Sequence, residues 1–84
     1  GDGNLHPTVE AEDSPAGYAA AKEAVYDITR LALSLGGTVT GEHGVGSVKY
    51  TEMTWQLDDV ALSTQRTIKA ALDPHGILTP GRAV

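Results

Sequence analysis

Eighty-four residues make one small domain, and a fold of that length hides only about 60% of its unfolded surface. With no cysteine, a disulfide framework, a thiolate zinc site and thiol catalysis are excluded, and no stretch approaches the roughly 18 apolar residues of a membrane span, so the chain is expected not to be transmembrane. Six Lys+Arg against eleven Asp+Glu give a net charge of −5, the wrong sign for a nucleic-acid partner bound through phosphates.

Residues 1–13 combine Gly1, Gly3 and Pro7 with the acidic cluster Glu10, Glu12 and Asp13, which predicts a turn or strand end leading into a solvated loop. The chain opens directly inside the motif-like string Gly1-Asp2-Gly3-Asn4-Leu5-His6, so a piece of a longer protein is expected. Ser14 before Pro15 reads as an N-cap with Pro at the first helical position, where its missing N–H costs nothing. Ala21, Ala24, Val25, Ile28, Leu31, Ala32 and Leu35 then recur at helical spacing. Gly36-Gly37 supplies the positive φ that ends such a helix.

Thr38-Val39-Thr40 is β-branched throughout and predicts a short strand entering the glycine-rich loop Gly41-Glu42-His43-Gly44-Val45-Gly46. From about Thr54 to Leu72 the positions Leu57, Val60, Ala61, Ile68, Ala71 and Leu72 fit a second helix. Asp73-Pro74-His75-Gly76 is a turn sequence, as is Thr79-Pro80-Gly81. The expected class is α+β, with two main helices, a short strand and a glycine-rich loop. No internal repeat or low-complexity tract is present.

The glycine spacing Gly41-x4-Gly46 matches a Walker A loop, but Ser47-Val48 stands where Lys and Ser/Thr would meet phosphate and magnesium. A dinucleotide fingerprint fails likewise, since Lys49 replaces its third glycine. Inside the loop, Glu42 and His43 are adjacent polar residues bracketed by glycines, and successive extended residues point to opposite faces. Both reach one site only where the backbone bends, which Gly41, Gly44 and Gly46 permit. A solvated turn that happens to carry Glu-His fits the same residues.

His6 is held between Gly3 and Pro7, so its direction is well defined. A His and a Glu supply two ligands of an open nitrogen and oxygen site for zinc, manganese or iron, which needs a third ligand that is not evident here. His75 reads as an exposed turn residue. Asp2 and Asn4 read as turn formers that bond their own backbone.

Three ordered strings, Gly1-Asp2-Gly3-Asn4-Leu5-His6-Pro7, Gly36 through Gly46 followed by Lys49, and Ile68-Lys69 through Arg82, together resemble the C-terminal end of the FAD-linked oxidases of the vanillyl-alcohol oxidase superfamily, close to glycolate oxidase, D-lactate and D-2-hydroxyglutarate dehydrogenases. The resemblance covers essentially the whole chain. It implies that residues 1–84 are a C-terminal fragment of the FAD-linked oxidase C-terminal domain, part of a substrate domain, with the FAD-binding domain absent. It also implies a divalent metal such as zinc or manganese held by two histidines and a glutamate, with a neighbouring histidine as base. Carried over by position, His6 is the second histidine ligand, Glu42 the carboxylate ligand and His43 the base. The first histidine ligand falls two residues before the glycine matching Gly1.

Two residues depart from the family pattern. Thr8 stands where hydroxyglutarate-oxidising members tend to have asparagine, and Thr79 replaces the usual asparagine before Pro80-Gly81. The implied activity is oxidation of a small D-2-hydroxy acid, with proton abstraction by His43 and hydride transfer to FAD, the electron acceptor staying open. The cytoplasm is the expected compartment, although the sequence itself leaves localisation open. The fragment alone would be inactive. The alternative from another class is a non-catalytic module whose two amphipathic helices pair with another chain. Self-association of the isolated chain through those faces stays open as well.

Overall fold

The computed structural model describes residues 2–84, so Gly1, the first residue of the opening motif, lies outside the described residues. Two compact units, Gly1–His43 and Gly44–Val84, divide the chain. Its helices are α1 (Pro15–Ser34), α2 (Tyr50–Gln56) and α3 (Asp59–Leu72). No strand forms among the described residues, which corrects the expected α+β class to a mostly helical one.

In the first unit both ends of α1 follow local chemistry. The Ser14 hydroxyl accepts from the Gly17 amide at 3.0 Å, with Pro15 in the first turn, where its missing donor is harmless. At the other end the Gly36 and Gly37 amides donate to the Leu33 and Ala32 carbonyls at 3.0 and 2.8 Å, and Gly36 takes φ +82°. This pair of bonds is the Schellman closure, which satisfies two carbonyls that the helix itself leaves unbonded. The apolar stripe is present, but no α1 residue is buried, and Leu31 and Leu35 remain 61% and 78% exposed. One helix with its flanking segments has no second layer against which to bury a stripe.

The β-branched run 38–40 is where the strand expectation fails. The Thr38 hydroxyl donates to the Thr40 carbonyl at 2.7 Å, turning the backbone locally. Strand propensity is realised against a neighbouring strand, and none forms among the described residues. Val39 is nonetheless buried.

In the second unit the expected helix from Thr54 to Leu72 is two helices. Leu57 is extended (φ −97°, ψ 134°) and closes α2, while Asp58 caps α3 by accepting from the Ala61 amide at 2.8 Å. An aspartate that bonds a free amide stabilises a helix start more than a helix interior, so the run breaks there. The Leu57 to Leu72 stripe had obscured that signal. Met53 of α2 and Leu62 of α3 are buried, each contributing about 1.5–3 kcal/mol relative to exposure.

Asp73 ends α3 as a buried carboxylate whose bonds close the following turn. It accepts from Lys69 Nζ at 2.5 Å and from the Ile77 and Leu78 amides at 3.1 and 3.0 Å. The Lys69 hydrogen bond holds its carboxyl below the usual carboxylate range, burial opposes this, and the two amides add to the lowering. Lys69 also donates to the Leu78 carbonyl at 2.6 Å. Beyond the turn, the Ala83 amide donates to the Gly46 carbonyl at 2.7 Å and Arg82 Nη1 to Ser47 Oγ at 3.0 Å, so the last residues are tied to the segment that precedes α2.

Candidate functional site

The candidate site lies within the first unit and is built from two segments far apart in sequence. In the first, Asp2 Oδ1 accepts from the Asn4 amide at 3.0 Å, the turn expected of an Asp two residues upstream. In the second, Gly41 precedes Glu42 and His43. The segments approach so closely that a Cβ at residue 41 would stand 2.3 Å from Asn4 Oδ1 and 2.6 Å from its Cγ, so any larger residue there would have to displace that carboxamide.

The approach brings the three sequence-derived site residues together. His6 Nε2 lies 2.8 Å from Glu42 Oε1, and His43 Nε2 lies 3.8 Å from the same oxygen. The two imidazoles meet edge to face, with centroids 5.9 Å apart. Each of the three side chains offers one donor atom, and all three donors fall within 4.8 Å of one another. Two donors about 2.1 Å from one ion stand about 3.0–3.4 Å apart at octahedral or tetrahedral angles, so the 2.8 and 3.8 Å separations bracket those of a coordinated set. Two imidazole nitrogens and a carboxylate oxygen are also the donor types that zinc and manganese accept.

The three side chains are 62%, 59% and 75% exposed, so ion pairing among them adds little stability and a substrate can reach all of them. Of the loop glycines, Gly44 takes φ +79° directly after His43, a conformation that side chains resist, whereas Gly41 does not have a positive φ. Gly41 is therefore needed for close approach and not for bending. His75 is exposed in the turn after α3, as expected, and is not part of the cluster. Asn4 adjoins the site without a sequence signal for it, since an Asn after Asp2-Gly3 reads first as a turn former. Its contact joins segments 37 positions apart, and no local pattern signals it.

Comparison with known proteins gives the family context. The model of the FAD linked oxidases, C-terminal domain, matches residues 1–83. The chain is 38% identical to the glycolate oxidase subunit GlcD of Escherichia coli over 85 aligned residues, covering 100% of this chain and 17% of that protein. It is also 38% identical to the mitochondrial D-lactate dehydrogenase [cytochrome] of Arabidopsis thaliana, covering 100% of this chain and 15% of that protein. Identity to the D-2-hydroxyglutarate dehydrogenase of Xanthomonas citri is 41%, with 98% and 18% covered. The chain thus spans less than a fifth of the length of these relatives.

Proposed function

This chain belongs to the family of FAD linked oxidase C-terminal domains, and we propose that it serves as the C-terminal part of a flavin-dependent oxidoreductase acting on a small D-2-hydroxy acid of the glycolate or D-lactate type. The observation that carries the reading is the His6, Glu42 and His43 cluster, which a module built only to pair helices does not need. The names of the relatives supply the substrate class. Thr8, in place of the asparagine typical of hydroxyglutarate-oxidising members, favours the smaller acids.

His6 and Glu42 are assigned as holders of a divalent cation such as zinc or manganese, the donor set fitting either metal. Such an ion, when bound, would supply Lewis-acid chemistry that makes the hydroxyl of a 2-hydroxy acid more acidic. His43 then accepts the hydroxyl proton, its imidazole standing beside the ligand pair and open to substrate. As that proton leaves, the substrate carbon gives up a hydride and becomes the carbonyl carbon of a 2-oxo acid. FAD, assigned to a separate flavin-binding domain, supplies the two-electron acceptor when bound. On this reading the 84-residue chain alone carries no turnover. No helix among the described residues is long and apolar enough to cross a membrane.

The experiment is anaerobic mixing of the full-length flavoprotein with glycolate, D-lactate, L-lactate and D-2-hydroxyglutarate, following loss of oxidised-flavin absorbance. Glycolate or D-lactate is expected to reduce the flavin fastest. If none of the four reduces it, the assignment fails. The exposed Leu31 of α1 and Leu35 at its C-cap would then favour a helical interaction module.

A further inference from the structure

Gly41 occupies an unusual place among the loop glycines. Its φ lies outside the left-handed region that favours glycine, so its φ does not itself call for glycine. At such a position Gly→Ala normally stabilises a protein, because it lowers the entropy of the unfolded chain. Here the space that a methyl group would take is filled by the Asn4 carboxamide, with Oδ1, Cγ and Nδ2 at 2.3, 2.6 and 2.8 Å from the added carbon. A flip of the amide about χ2 leaves Cγ where it is, so relief requires the whole group to leave its seat. Asn4 itself is half-buried, and its backbone is fixed by the bond to Asp2 Oδ1 at 3.0 Å.

The two residues stand in register with the site. Asn4 is two positions before His6, and Gly41 is the position before Glu42. We propose that Asn4 and Gly41 are positioning residues: the Asn4 carboxamide, seated on the bare Gly41 backbone, clamps the two segments so that His6 Nε2 and Glu42 Oε1 face each other at 2.8 Å. The proposal rests on the metal-site reading above for its consequence, but the clamp is a packing relationship that is tested independently of any metal. The side chains that would hold the ion are exposed and carry little packing of their own, so their separation depends on what holds their backbones. Outer residues that orient ligands are typically worth 10–100-fold in metal affinity.

The test is a double-mutant cycle in the full-length protein with Asn4→Ala, Gly41→Ala and the pair, read by manganese(II) affinity and by Tm. Each single substitution is expected to weaken manganese(II) binding about tenfold. The double variant is expected to be no weaker than either single one, since both remove one clamp. Gly41→Ala is expected to lower Tm, against the usual sign for this substitution, and adding Asn4→Ala to it should lower Tm no further. Losses that multiply in affinity and add in Tm would overturn the clamp, as would a Gly41→Ala variant with raised Tm and unchanged affinity. If Gly41→Ala alone fails to fold, recovery of folded protein on adding Asn4→Ala supports the proposal, and failure of the pair overturns it. Should His6→Ala leave manganese(II) affinity unchanged, the metal-site reading fails by itself, and the clamp is decided by the Tm cycle alone.

Discussion

His6 Nε2 faces Glu42 Oε1 at 2.8 Å although 36 positions separate the two residues in the chain. The separation is that of a direct hydrogen bond, and an exposed contact of this kind adds at most about 1 kcal/mol to stability. The cation site proposed above uses the same two atoms. In the full-length protein, His6→Ala and Glu42→Gln are each expected to lower metal content at least ~10-fold while flavin stays bound. Metal analysis of the purified variants checks this, and metal content equal to wild type in both places the site elsewhere.

Asp73 gives a prediction about acid stability. The Lys69 hydrogen bond holds its folded-state carboxyl below the ordinary value, helped by the Leu78 and Ile77 amides, so the proton binds more weakly to the folded chain than to the unfolded one. The stabilisation is therefore complete above the unfolded-state value of about 3.9 and is lost as pH falls below it. Asp73→Asn should lower Tm at neutral pH, and the gap from wild type should narrow as melts are taken from about pH 5 down to about pH 3. A gap that stays constant over this range contradicts the role given to the ionised carboxylate.

Thr79 carries backbone strain. It is a β-branched residue at φ +41°, where asparagine is tolerated far better. Thr79→Asn is expected to raise stability by about 1 kcal/mol without changing turnover. Chemical denaturation measures it, and an unchanged or lowered stability argues against strain at this residue.

Features set by neighbouring residues were legible in the sequence. The start of α1 at Ser14-Pro15, its end at Gly36 and the turn at Asp73 to Gly76 each depend on bonds within a few positions. The break at Leu57-Asp58 was missed for a related reason: the apolar stripe continues through it in register, and the Asp58 cap was outweighed by periodicity. Val39 was assigned to a strand because β-branching was read without knowing whether a neighbouring strand exists. Of the site, the residues alone offered Glu42-His43 in a glycine bracket and His6 as a second possible ligand beside a glutamate, with no third. The resemblance gave each of the three its role, and the close approach of Asn4 to Gly41, which joins their segments, has no local signal in the sequence.

The assignment of His43 as base is tested most directly by the reductive half-reaction of full-length His43→Ala, mixed anaerobically with the best substrate of the wild-type protein. Removal of a general base typically costs about 10²–10⁴-fold, so flavin reduction should slow by that factor while flavin and metal contents match wild type. Reduction at the wild-type rate would contradict the role of His43. Loss of the metal along with the rate would instead make His43 a third ligand of the cluster, which also contradicts its assignment as the base.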